Sequence, residues 1–206
     1  MALSNYTELC ASVAVWLNRT DLTSIIPDFV TLAEARVARD LRLRAQVTND
    51  ALTTVAGDKA VALPSDWLEF ENLTITSTDP KRTLHVVTPE YLDERWPENA
   101  ITGIPTDYTV VGGNLELGPT PDAAYTISAD YYQRFPALSS SSTNWLLTNH
   151  PNIYLFAALA EGSLFMMDEQ RAAMWEGKYE ADATALQDAD DKALRSGSSM
   201  RVRTIP

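Results

Sequence analysis

Histidine and cysteine are nearly missing from this sequence, which holds two of the first, His85 and His150, and one of the second, Cys10. A zinc site draws about four N, S or carboxylate ligands at short spacings, and no such grouping occurs. There is no Gly-x-Ser-x-Gly elbow and no phosphate-cradling glycine loop. Neither a metal nor any cofactor is expected. A single cysteine excludes an intrachain disulfide, and Cys10, on an apolar helical stripe, reads as a small buried hydrophobe. Basic side chains are scarce as well. Lys and Arg total 16 against 28 Asp and Glu, for a net charge of −12. Gripping DNA needs clustered cations, so specific nucleic-acid binding is not expected, although an acidic wall suits DNA that slides past without sticking. Long apolar runs are absent too. The one after Pro151 is broken by Glu161 and is too short for a membrane span. Met1 to Asn5 shows neither the basic start nor the apolar run of a secretion signal, which predicts synthesis in a reducing cytoplasm. The glycosylation-like triplets at Asn5, Asn18 and Asn72 are then chance matches.

The 206 residues, 45% apolar and 21% charged, suffice for one domain, or for a helical body with a smaller insert. Apolar residues at helical spacing predict a first helix over about 5–18, with Tyr6, Leu9, Val13, Trp16 and Leu17 on its stripe. A second helix, capped by Thr20 or Asp21, is expected to reach about Arg44 with Ile26, Val30, Ala33, Val37 and Leu41 on one face. Pro27 either kinks it or marks its true first turn. From about Gln46 to Arg134 the period changes to two. Val61 to Leu63, Leu68 to Thr76, Leu84 to Val87, Tyr108 to Val111, Asn114 to Leu117 and Tyr125 to Gln133 read as strands. Gly112-Gly113 is a hairpin turn, and Thr88 to Trp96 a short helix opened by Thr-Pro-Glu. Ser139 to Thr143 reads as a loop. Pro151 then starts a helix that is apolar nearly all round and therefore central. A last helix over about Glu169 to Leu194 buries Ala172, Trp175, Tyr179, Ala183 and Leu186. It turns Glu176, Glu180, Asp182, Asp188, Asp190 and Asp191 to the other face.

These elements predict an α+β fold, a four-helix bundle body with an antiparallel β insert between helices 2 and 3 and an extended C-terminal tail. Residues 1–45 form the N-terminal helix pair, 46–136 the β-rich insert lobe, 137–195 the C-terminal helix pair and 196–206 an extended basic tail.

Charge placement is the more informative signal. Arg36, Arg39 and Arg42, three residues apart, would form a stripe on helix 2 opposite its apolar face. The stripe is either a solvated face or a subunit contact that meets the acidic last helix of a neighbour, a pattern suited to head-to-tail rings. Glu69 and Glu71 share a strand face by alternation, and such a pair could serve glycoside hydrolysis. Solvated strands carry such pairs routinely, so no catalytic residue is assigned. His85 and His150 read as structural or surface residues.

Several segments resemble the tailed-phage adaptor proteins, also called head-to-tail connectors. Ile26-Pro27-Asp28-Phe29-Val30-Thr31-Leu32-Ala33-Glu34-Ala35-Arg36 with Arg39-Asp40-Leu41-Arg42 resembles that family's second helix. Leu63-Pro64-Ser65-Asp66-Trp67-Leu68-Glu69 resembles its first strand entry. Gly103-x-Pro105, Tyr108, Gly112-Gly113, Leu115-Glu116-Leu117 and Pro119-x-Pro121 resemble its hairpin segment. Tyr131-Tyr132, Phe135 to Leu138, Asn144 to Leu147, Pro151 to Leu159 and Ser196-Gly197-Ser198 continue it in order. The resemblance implies a non-enzymatic virion protein at the head–tail neck. It implies a subunit of a dodecameric homo-oligomeric ring that binds the portal protein and a downstream tail or nozzle protein and extends the channel for genomic DNA, with no membrane contact. It also implies that the C-terminal segment reaches toward the portal. Arg195, Arg201 and Arg203 thus join Arg36, Arg39 and Arg42 as candidate subunit or portal interface residues. The competing readings are a virion-associated cell-wall hydrolase and a glycan-binding tail protein. The latter would use Trp67, Trp96 and Tyr91, which more simply pack the insert.

Overall fold

The computed structural model describes residues 3–97 and 101–195. The chain is α+β and divides into a helical unit, residues 1–45 with 135–206, and a β unit, residues 46–134. The helices are α1 (Tyr6–Leu17), α2 (Ile26–Asp40), α3 (Pro89–Arg95), α4 (Leu138–Ser141), α5 (Trp145–Asn149), α6 (Pro151–Phe165) and α7 (Glu169–Arg195).

The helical unit is organised around α6. Ile153, Tyr154, Leu155 and Ala157 to Ala160 are all buried, so its whole circumference must be covered by other elements. The elements that cover it are α1, α2, α5 and α7. Small residues set the distance of approach. A Cβ on Gly162 would come within 2.7 Å of a Leu17 methyl and 3.4 Å of the Phe29 ring. Asn5 caps α1 by accepting the Glu8 N–H at 3.0 Å, and Leu9, Val13 and Leu17 face inward. Trp16, expected on that stripe, is 47% exposed. Its indole rests against Phe156 and Trp175.

Helix α2 is shorter at both ends than the sequence suggests. It begins at Ile26 with no side-chain cap, and Pro27 lies in the first turn, where its missing N–H costs nothing. Thr20 and Asp21 are therefore not the cap. It ends at Asp40, because Leu41 is extended and Leu41 and Leu43 are both buried. Inward residues two apart require extended chain, since a helix would set them on nearly opposite faces. The serine run also departs from expectation. Leu138 is buried, its N–H donates to Glu34 Oε1 at 2.6 Å, and α4 forms there instead of a loop. Next to it Asn144 caps α5 through Leu147 N at 2.9 Å and donates to the buried Tyr154 hydroxyl at 2.9 Å.

In the β unit the strands are β1 (Val47–Thr53), β2 (Ala60–Ala62), β3 (Trp67–Ile75), β4 (Arg82–Thr83), β5 (His85–Val86), β6 (Thr102–Gly103), β7 (Asp107–Val111), β8 (Asn114–Gly118), β9 (Thr120–Pro121) and β10 (Thr126–Gln133). One sheet runs β1-β10-β3-β4, a second β2-β8-β7-β5, and β6 pairs with β9. Leu52, Leu73, Ile75, Ile127 and Tyr131 from the first sheet share one core with Val61, Leu115 and Leu117 from the second. Pairing is antiparallel throughout except at β5–β7 and β6–β9, which are parallel. The insert is thus not wholly antiparallel. Helix α3, capped by Thr88, lies in the crossover between β5 and β7 that parallel pairing demands. Gly112 and Gly113 join β7 to β8 with φ of 59° and 83°, the two left-handed residues of a primed hairpin turn.

Replacing Gly113 with Val should therefore lower stability by about 1–3 kcal/mol. Gly177, on α7 with open space beyond its Cα, should tolerate alanine and gain about 0.5–1 kcal/mol. The shift in urea midpoint of each variant checks both.

Candidate interface surfaces

Arg36 projects from α2 into the junction with α6 and α7. Its Nη1 donates to Glu161 Oε1 at 3.2 Å, its Nη2 pairs with Glu176, and its guanidinium lies over the Tyr179 ring at 4.6 Å. The Tyr179 hydroxyl donates to Asp40 Oδ2 at 2.9 Å, and Arg39 Nε donates to Asp40 Oδ1 at 2.8 Å. One chain of contacts therefore runs from Glu161 and Glu176 through Arg36 and Tyr179 to Asp40 and Arg39. Burial works against the Asp40 carboxylate, yet its bonds from Arg39 and Tyr179 outweigh that and hold its pKa below the usual range. Burial first, and then the bond to Asp40, push the Tyr179 hydroxyl well above the ordinary tyrosine value.

The expected stripe of three arginines does not form. The Arg36 side chain is only 14% exposed and meets the acidic last helix of its own chain. Arg42 falls beyond the end of α2 and donates to the carbonyls of Ala38 and Leu41, both at 2.8 Å, closing the helix from outside. Only Arg39, 71% exposed, is a surface cation on α2. Several acids assigned to the solvated face of α7 are also engaged internally: Asp182 with Asn152, and Asp190 with the Arg44 backbone and side chain at 2.9 Å. Glu180, Asp188 and Asp191 remain exposed. Arg195 closes α7. Its side chain, Arg201 and Arg203 lie outside the described residues.

Two apolar surfaces lie on the helical unit. Trp16, Phe156 and Trp175 cluster at ring distances of 5.5–6.5 Å, with Lys178 over the last two. At the turn from α6 to α7, Leu164, Phe165 and Met167 are all more than half exposed. Met167 holds a left-handed φ of 58°, where glycine is the usual choice. The turn is firmly held, with Asp168 N donating to Ser163 O at 3.0 Å and Asp168 accepting from Arg171 N at 3.1 Å.

The comparison with known families settles what kind of protein carries these surfaces. A family model described as SU10 adaptor protein matches residues 4–203. The chain belongs to the SU10 adaptor protein family. It is a phage structural adaptor, and its family is one of virion neck components that meet portal and tail proteins. No curated protein matches the chain.

Glu71 faces no residue of β10, because the register slips between Asn72 and Phe70. This bulge breaks the alternation that would have set Glu69 and Glu71 side by side. His85 is exposed on the edge strand β5, and His150 lies against Trp145 between α5 and α6. Trp67 packs on Phe70 within the β unit, and Arg95 lies over Tyr91 and Trp96. Among the described residues no group of three His, Cys, Asp or Glu could hold a metal ion, and no helix is long and apolar enough to cross a membrane.

Arg36→Ala should cost about 1–3 kcal/mol, mainly because it leaves the largely covered Glu161 without its partner, the more exposed Glu176 being solvated by water. The exposed Arg39→Ala should cost under about 1 kcal/mol. Chemical denaturation of the two variants separates them. The pH dependence is also determined. Tyr131, pushed up to about 12 by burial and Asp66, and Tyr154 and Tyr179, both raised chiefly by burial, hold their protons more tightly when folded. Their contribution is complete below the free tyrosine value of about 10 and is lost as pH rises toward the folded values. Asp40 acts oppositely, and its contribution fades as pH falls below about 4. A Tm series across pH should therefore fall at both ends, and Tyr179→Phe should flatten the alkaline limb.

Proposed function

We propose that this chain is the subunit of a homo-oligomeric adaptor ring that joins the portal of a tailed phage to the tail and extends the DNA channel. The observation that carries this reading is the family match over nearly the whole chain. In it, α1, α2, α6 and α7 form the bundle-like body of each subunit, and twelve copies close the ring. The β unit offers the platform for the next tail or nozzle protein. The ring passes genomic DNA without binding it. A net charge of −12 supports that passage, because a channel wall poor in cations does not hold phosphates. The protein is made in the host cytoplasm and acts in the virion without catalysis or a cofactor.

Exposed features of the helical unit supply the contacts. A firmly held apolar turn of Leu164, Phe165 and Met167 and the exposed Arg39 near acidic neighbours suit subunit contacts that combine an apolar anchor with charge complementarity. The cationic C-terminal segment, with Arg195, Arg201 and Arg203, takes part in assembly on an acidic partner surface.

Mixing the purified chain with its portal should give ring-on-ring particles by negative-stain microscopy, in which the Phe165→Ser, Met167→Ser double variant is depleted. A wild-type chain that stays monomeric and shows no affinity for the portal defeats the proposal.

A further inference from the structure

The two exposed apolar surfaces of the helical unit differ in shape and in charge. At the end of α6, Leu164, Phe165 and Met167 are 60%, 54% and 90% exposed, and apolar surface of this kind ordinarily marks a contact site. The bonds at Asp168 fix the turn that carries them. A rigid backbone therefore presents these side chains, and little order has to be gained on contact. Glu169, next in the chain, is exposed. Asp168 has the Arg171 guanidinium at 3.9 Å.

The second surface is a flat aromatic platform. The Phe156 and Trp175 rings stack at 5.7 Å with 19° between their planes, and Trp16 leans on both. Val15, beside Trp16, is 55% exposed. Lys178 lies over the stacked pair, 5.1 Å from Trp175 and 5.5 Å from Phe156. Arg171, Trp175, Lys178 and Asp182 follow one another along a single stripe of α7. Asp182 is engaged by Asn152, and Arg19, just past α1, is paired with Asp21 at 2.6 Å. The charge left over the platform is thus positive, in a chain whose net charge is −12.

Neither surface can cover the other within one chain. Phe156 and Phe165 are nine residues apart on α6, about two and a half turns, so they point to opposite sides of the helix. Their contacts agree. Phe165 lies 5.5 Å from Phe29 of α2, whereas Phe156 meets Trp16 of α1 and Trp175 of α7. Pairing like with like between two copies would set Glu169 against Glu169, or Lys178 against Lys178. Pairing turn with platform avoids both and brings a flexible thioether onto aromatic rings. With the two surfaces on opposite sides, that pairing repeats head to tail instead of closing as a two-fold pair.

We propose that the turn of Leu164, Phe165 and Met167 seats on the Trp16, Phe156 and Trp175 platform of a second copy of this chain, with Glu169 beside Lys178. Tryptophans are the usual centres of such contacts, and Met167 is the most exposed of the three turn residues. This deepens the self-assembly part of the proposed function by naming both halves of the subunit contact, and it rests on that ring reading.

The test reverses two exposed charges in the full-length chain and reads assembly by sedimentation velocity, alone and with the portal. Glu169→Lys and Lys178→Glu should each weaken assembly by about fivefold or more, because each sets like charges together at every contact. The double variant restores opposite charges across the contact and should assemble to within about twofold of wild type. A second measurement replaces Met167 with photoreactive p-benzoylphenylalanine. Its cross-links should fall on Trp16 or Trp175, and mixing 15N-labelled with unlabelled chain should show that they join two copies. Single reversals without effect, a double variant no better than either single one, or cross-links that fall only elsewhere overturn the proposal. If the wild-type chain still assembles on the portal in that case, the contact fails and the ring reading stands. If the wild-type chain neither self-associates nor binds the portal, both fail.

Discussion

Burying α6 on every side is the constraint from which the helical unit follows. With Ile153, Tyr154, Leu155 and Ala157 to Ala160 all buried, this stretch of α6 has no fully solvated face, so the chain must supply a surround. α1 and α2 come from one end of the sequence, α5 and α7 from the other. The β unit can therefore sit between residues 45 and 135 without disturbing the core, because both halves of the surround close on the same central helix. The packing also explains the local composition of α6. Its alanines and Gly162 admit neighbours at close range, and its one acid, Glu161, is tolerated because Arg36 reaches it.

Much of this was legible in the sequence, for identifiable reasons. Pro151 followed by an unbroken apolar run announces a central helix, and Gly112-Gly113 between alternating runs announces a hairpin. In both, one local signal decides the outcome. Failures came where tertiary burial overrode local pattern. Arg42 continues the three-residue spacing of Arg36 and Arg39, yet burial of Leu41 and Leu43 pulls the backbone out of the helix first. Ser139 to Ser141 has loop composition, yet a buried Leu138 and the carboxylate of Glu34 hold it in a helical turn. β1, Val47 to Thr53, contains Asn49, Asp50 and Ala51, poor strand formers, and no strand was expected there. Its pairing with β10 is set by Leu52 against Ile127.

Interface candidates were harder to read than the fold because periodicity reports a residue's face and not its partner. Arg36 and Glu176 read from the sequence as parts of two separate charged surfaces, but they pair with each other within one chain. A basic stripe and an acidic stripe on different helices of one chain suit a head-to-tail contact and an internal clamp equally well. Only packing chooses between them. The same uncertainty hid Leu164, Phe165 and Met167. Their spacing continues the apolar pattern of α6, and nothing in that pattern tells that the helix has outrun its cover.

Two local features of the chain do not maximise its own stability. Met167 occupies a left-handed position where glycine would avoid a cost of about 1 kcal/mol, and most of its apolar side chain is in water. Among the described residues β1 has no strand partner on its outer side, and it carries neither lysine nor proline. Either feature alone could be local accident, but both concern groups whose exposure becomes favourable only when another surface covers them. In a monomer that works alone, substitutions at Met167 or Asn49 would improve the protein at no cost. In the ring subunit proposed above, a substitution at Met167 would instead remove part of an apolar contact surface. On the proposed reading, the stability each subunit forgoes in isolation is recovered across its contacts in the assembled neck.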